Sequence, residues 1–557
     1  MRATPIVPPG SRPARKPVSQ VKDETQRFLP TPIPPFAARE EALGARLPRQ
    51  QPRTEDNPAV TKTPYARWFL ALLLASLVFR FLYAGWVQLS GDELMHWQWS
   101  RHLAFGYPEH PPLIAWTMAL ETRLFGTTER AIRLVSVLAM TGVLGLAFRL
   151  GSELYGARAA FYGSTALLMT PIVCAGGVIA TTDALHAFFW TLTVYGVKKA
   201  ALDGRRLAWL AAGAAAGCAL LTKLPAVFLF PATAIVLLGT KSGRAWIKRR
   251  EPYAAAALAL LIFSPNVIWN SRHGWVTLLM RVGYGVPEHF SLQHLGELLA
   301  TQLFTVTPVL FVGLVWALWQ CWRRRADERA VFLGAYMAAP FLFYFGYTLH
   351  ASVDVHWPAV SYITGAVAAA AFVTEAASRR LAPVLLTSAA VPAFLLVGAL
   401  YVIPLDPDLV HFTWTYSNSN RLTTDRLQDV VDWRQLGDPI GRLLAENPGP
   451  GFLLCRNGYA VAGLVSFYAP GQPPVFLWET AGRNGAAYNS WKEETDLHGW
   501  NAVIVDDLQE PGYFDDARGA FESVSAKTRV PLMRHGRVIR EFDVAFGKGF
   551  KGFPVEK

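Results

Sequence analysis

From Arg67 onward the chain alternates long apolar runs with short polar breaks, and the runs have the length a bilayer demands, about 20 residues of α-helix. They fall near 67–89, 131–150, 158–177, 184–200, 207–222, 224–239, 253–269, 297–319, 330–349, 358–377 and 382–403, which predicts eleven transmembrane helices. Residues 1–65 carry 13 prolines and 11 Lys or Arg without an apolar core, so this stretch is expected to be a disordered tail. It also lacks the short apolar segment and small-residue cleavage site of a signal peptide. After about Leu405 the pattern turns soluble. Short apolar runs at 451–455, 474–478 and 501–505 read as buried strands, with helical stretches at 439–446 and 460–468 between them. The expected fold is an all-α polytopic membrane protein, residues 66–404, with a small α/β domain at 405–557.

Composition supports the membrane reading, since 52% of the residues are hydrophobic and only 17% charged, against about 25% charged in soluble proteins. The net charge of +12 raises the question of nucleic acid. Its distribution answers it, because the basic residues sit in short runs between apolar segments. Those runs also orient the chain. Arg158, Lys198 with Lys199, Lys241 to Arg250, Arg323 to Arg325 and Arg379 with Arg380 fall in alternate loops, which the positive-inside rule makes cytoplasmic. The N-terminus is then cytoplasmic and the C-terminus outside. Asp92, Glu109, Asp183, His273, Asp354 and His356, none of them used to set the topology, fall together on the outer face. Cys174, Cys218, Cys321 and Cys455 are scattered and suggest neither a disulfide framework nor a zinc site.

The most polar of the outer loops is SGDELMHWQWSRHLAFGYPEHPPLIAW, 90–116, directly after the first apolar run. Carboxylates and imidazoles at a helix end mark a polar cavity at the membrane face. A local alternative also exists, since Ser90 and Glu93 have the spacing of a helix capping box. Asp92-Glu93 after the first span, followed by Pro108-Glu109-His110-Pro111-Pro112-Leu113, resembles the first outer loop of GT-C glycosyltransferases. The similarity is to bacterial enzymes akin to the lipid A aminoarabinose transferases and the protein O-mannosyltransferases, and it covers roughly residues 67–380.

The resemblance implies a donor sugar on a polyprenyl-phosphate carrier, which suits an outward site with no access to cytosolic nucleotide sugars. It implies a catalytic aspartate at Asp92, with Glu93 beside it, and a second functional acid at Asp183. Position 109–110 usually reads Glu-Lys in the family, the lysine facing the carrier phosphate; here His110 stands beside Glu109. Asp354-Val355-His356 resembles a segment lining the carrier site.

Chemistry asks for the same kinds of group. A departing phosphate needs cations rather than a general acid, and an acceptor hydroxyl needs a base. Arg272 and His273 could supply the first, an arginine fork gripping phosphate at two points. Lys223 is a further candidate. The alternatives are an interfacial anchor for Arg272, a snorkelling role for Lys223 and a helix N-cap for Asp183. Some relatives hold a divalent metal in this region, but Glu109 and His273 are two ligands, too few to define an ion site.

The function expected is an inverting glycosyltransferase of the bacterial inner membrane, acting on a lipid, glycan or protein acceptor outside it. A flippase of lipid-linked sugars is the rival. It would show paired halves with broken helices at mid-membrane, whereas here the polar residues cluster at one face.

Overall fold

The computed structural model describes residues 63–283, 290–376, 393–406, 413–415, 421–423, 432–456, 458–478, 485–508 and 514–553. The tail at 1–65 therefore lies almost wholly outside the described residues, as does 377–392, the loop and first half of the last expected span.

Helix α1 (Pro64–Tyr83) opens with Pro64 in its first turn and the Thr63 hydroxyl accepting from the Ala66 amide at 3.3 Å. Trp68, Leu70, Leu74, Val78, Phe79 and Phe81 along it are exposed, which suits lipid rather than water. Two helices follow in the first outer loop, α2 (Gly91–Arg101) and α3 (Leu113–Phe125). The bundle continues through α4 (Glu129–Tyr155), whose 27 residues reach about 40 Å. Beyond it lie α5 (Thr182–Val197), α6 (Leu207–Thr222), α7 (Glu251–Arg272), α8 (Glu328–Tyr347) and α9 (Val360–Ala376). Five described helices are long and apolar enough to cross a membrane, and a sixth if one bent pair is counted as a single span. Leu207–Thr222, Leu224–Gly239 and Ala393–Val402 are apolar but shorter.

Two expected spans take a different form. The run at 297–319 is not one helix: Leu292–Thr305 and Pro308–Arg323 meet at 114°. Pro308 removes an amide and disfavours helix at Thr307, which adopts φ +74°. The run at 158–177 likewise stops at Leu168 and restarts at Pro171.

In the C-terminal region a two-stranded ladder pairs β1 (Thr413–Thr415) with β2 (Arg421–Thr423). A six-stranded sheet follows: β3 (Gly451–Cys455), β4 (Val475–Leu477), β5 (Asn501–Asp507), β6 (Phe521–Val524), β7 (Thr528–Arg534) and β8 (Arg537–Phe550). Its order is β4-β3-β5-β8-β6, with β7 also on β8; β3 is parallel to both β4 and β5, and β8 is antiparallel to β5, β6 and β7. Between parallel strands run α10 (Tyr459–Tyr468) and α11 (Ala487–Glu494). The sheet shares one hydrophobic core with the first loop, where Leu94, Trp97, Trp99, Ile114 and Met118 pack with Phe452, Leu453, Val503 and Phe542. A separate core joins the long helices.

Candidate active site

The site starts from a helix cap. The Ser90 hydroxyl accepts from the Glu93 amide at 3.4 Å, and Glu93 Oε2 accepts from the Ser90 amide at 2.8 Å. Glu93 is 0% exposed and its carboxylate is fully engaged. Arg133 Nε donates to Oε1 at 2.6 Å and Nη2 to Oε2 at 2.7 Å, while the Ala180 amide donates to Oε1 at 2.9 Å. Arg133 also donates to the carbonyls of Ala84, Val87 and Gln88. Burial alone would raise the Glu93 carboxyl, but Arg133 and the Ser90 and Ala180 amides hold it below its ordinary value. Glu93 is therefore an anchor that fixes the start of α2, and it has no lone pair left for substrate. Where the sequence suggested a catalytic acid beside Asp92, the structure places a buried ion pair.

The neighbouring Asp92 points elsewhere. Its Oδ1 accepts from the Tyr459 hydroxyl at 2.8 Å, and its charge acts on His96, one turn on along α2, and on His356. Burial pushes His96 down to about 4, against the opposing pull of Asp92 and Asp183, so this imidazole is neutral at pH 7. Asp183 lies in the first turn of α5, its Oδ2 accepting from Thr181 Oγ1 at 3.2 Å. Lys223, in extended backbone at the end of α6, donates Nζ to Asp183 Oδ1 at 2.7 Å. His356 Nε2 stands 3.7 Å from Asp183 Oδ2. Lys223 is nearly closed off, with 9% of its side chain exposed, whereas Asp183 and His356 keep 32% and 37%. Burial lowers His356 and the adjacent Asp183 opposes that shift.

Four of the residues singled out from sequence thus converge: Asp92, Asp183, Lys223 and His356. They come from the ends of separate helices, and His96 and Tyr459 join them. His96 was readable as the residue four after Asp92 on one helix face. Tyr459 was not, because it opens an apolar helix far along the chain.

Among the other candidates, Glu109 and His273 have their described partners outside this group. Glu109 is buried, and the backbone amides of Gly485, Ala486 and Ala487 at the start of α11 serve its carboxylate; burial raises it to about 7. The His110 ring lies 6.3 Å from that of His96. His273 stacks on Trp269 at 4.1 Å and shares a 2.7 Å hydrogen bond between Nδ1 and the Trp269 carbonyl. Arg272 is exposed at the end of α7. Among the described residues neither Arg272 nor His273 hydrogen-bonds or ion-pairs with Asp92, Asp183 or Lys223. Their segment nonetheless borders the first loop, through Asn266 Nδ2 to the Phe105 carbonyl at 3.0 Å and Thr277 Oγ1 to the Tyr107 carbonyl at 2.8 Å. No three His, Cys, Asp or Glu side chains among the described residues are placed to hold a metal ion. Glu109 turns to α11 and His273 stacks on Trp269.

At the opposite helix ends the character inverts. Glu153 pairs with Lys198 and Lys199, both at 2.7 Å, and Arg324 with Glu375. One end of the bundle carries the acids, imidazoles and Lys223; the other carries the basic loops.

A family model for dolichyl-phosphate-mannose-protein mannosyltransferase matches residues 109–269, which include Asp183 and Lys223 but not Asp92. ArnT from Cupriavidus metallidurans in the apo state superposes with a TM-score of 0.61 at 18% identity, over 86% of this chain and 98% of that one. ArnT bound to undecaprenyl phosphate gives 0.59 at 16% identity, over 87% and 98%. The chain is a membrane protein of the GT-C glycosyltransferase fold. Among curated proteins it is similar to the lipid A galacturonosyltransferase RgtD of Rhizobium johnstonii, 28% identical over 286 residues. That match takes in 50% of this chain and 59% of RgtD, less than two thirds of its length.

Proposed function

We propose that this protein is an inverting glycosyltransferase that moves a sugar from a polyprenyl-phosphate carrier to a lipid, glycan or protein acceptor at the outer face of the inner membrane. The observation that carries the reading is the convergence of Asp92, Asp183, Lys223 and His356 from separate helix ends. Asp92 takes the acceptor proton as the oxygen attacks the anomeric carbon, and the sugar–phosphate bond breaks with its electrons going to the departing phosphate. A phosphate leaves as an anion and needs no general acid, only nearby cations. Lys223 holds Asp183 ionised, and the two carboxylates favour the positive charge that develops on the sugar ring. Arg272, exposed at the mouth of the first loop, is the cation to test for the carrier phosphate.

The topology that goes with this reading keeps the N-terminus cytoplasmic and residues 405–557 outside. The crossing assigned to 297–319 moves to Pro308–Arg323, whose 16 residues span about 24 Å. Leu292–Thr305 then lies across it, and the alternation of sides is unchanged.

The test uses the full chain in reconstituted membranes with lipid A and undecaprenyl phosphate carrying labelled galacturonic acid, aminoarabinose or mannose. A general base contributes about 10²–10⁴-fold. Asp92→Asn should fold and bind the donor yet transfer the sugar at least about a hundredfold more slowly. Transfer near the wild-type rate by this variant removes Asp92 as the base. Movement of the donor across the bilayer without transfer would favour a flippase.

A further inference from the structure

The C-terminal sheet is placed in a way that the transfer chemistry above does not require. In parallel α/β sheets, functional groups gather outside the carboxyl ends of the strands. Here that edge faces the first loop. Helix α10 leaves the end of β3 and α11 follows β4; the first begins at Tyr459, which meets Asp92, and the second begins at the amides that meet Glu109.

Helix α10 is tied to α2 along its whole length. Tyr459 donates to Asp92 Oδ1 at one end, and the Tyr468 hydroxyl accepts from the Leu89 amide at 2.9 Å at the other. Between them Arg101 Nη1 donates to Ser466 Oγ at 3.2 Å. Backbones approach closely, since a methyl added at Gly91 would lie 2.3 Å from Ala460 Cβ and one at Gly463 2.8 Å from Leu94 Cβ. Such packing fixes where the Tyr459 hydroxyl stands.

We propose that Tyr459 is a positioning residue for Asp92: its hydroxyl holds Oδ1, turning Oδ2 to the acceptor hydroxyl, so the C-terminal sheet completes the active site. The inference rests on the base role given to Asp92.

The experiment measures kcat and KM for wild type, Tyr459→Phe and Tyr468→Phe, with thermal stability in parallel. Tyr459→Phe should lower kcat about tenfold and leave KM for the donor unchanged, because only the aim of the base is lost. Tyr468→Phe removes the docking bond at the far end of the same helix. It should match the stability loss and leave kcat near that of the wild type. In an Asp92→Asn background, Tyr459→Phe should cause no further loss, because the base it serves is gone. An unchanged kcat in Tyr459→Phe, or losses that multiply in the double variant, would overturn the proposal and leave the base role of Asp92 standing. Wild-type transfer by Asp92→Asn alone would instead end that reading and this one with it.

Discussion

Two acidic side chains in one short loop, Asp92 and Glu109, reach the C-terminal region in opposite ways. Asp92 accepts from a hydroxyl at the rim of the site, while Glu109 is buried against the amides that start α11. Burial raises the Glu109 carboxyl to about 7, above the unfolded value of about 4.3. The folded protein therefore binds the proton more tightly than the unfolded chain. Its stability is highest below the unfolded value and falls as pH rises toward 7, by at most about 3–4 kcal/mol at 1.36 kcal/mol per unit. Glu109→Gln should flatten that slope when melting temperature is followed from pH 5 to 8. A slope equal to that of the wild type would show that Glu109 does not carry it. Asp92, Asp183, Lys223 and His356 were legible because polar groups at the ends of apolar runs are few and costly. Tyr459 was not, since a tyrosine opening an apolar helix looks like core. The Glu93–Arg133 pair was hidden in the same way, because its partners lie 40 residues apart.

At the scale of elements, the Glu93–Arg133 pair joins α2 to α4 and, through Ala180, to the start of α5. Breaking a buried pair by removing one partner costs about 3–5 kcal/mol, because the other charge is left stranded. Glu93→Gln should therefore lose about that much stability, while the folded fraction transfers sugar within a few-fold of wild type. A hundredfold loss in fully folded protein would return Glu93 to the chemistry. The helices themselves were largely legible from apolar length. The exceptions share a cause that hydropathy averages away: Pro308 and Pro171 each start a new helix where the apolar run continues. In the sheet, β3, β4 and β5 were visible as short apolar runs, buried on both faces as parallel strands are. Strands β6, β7 and β8 were missed because they interleave polar and apolar residues, as in β7, where Val530, Leu532 and Arg534 are buried and Pro531 and Met533 between them exposed.

For the molecule as a whole, acids and imidazoles at one end of the bundle and basic loops at the other make topology the property to measure. Reporter fusions at Ser242 and Gly437 should report opposite sides of the membrane. The same side for both would place the basic loops and the C-terminal sheet together and remove the outward site. The alternation was readable from sequence, because charge in short loops is a local quantity. The union of sheet and first loop was not, because it is made by residues from distant parts of the chain.

That union sets an order in time. Leu94, Trp97 and Trp99 are synthesised roughly 450 residues before the end of β8, which at about 5–20 residues per second is roughly 20–90 s. Until β8 has paired with β5, the core these side chains belong to cannot close and Tyr459 has no platform. A chain halted before β8 would still bring Asp183, Lys223 and His356 together, but Asp92 would lack the hydroxyl that Tyr459 offers it.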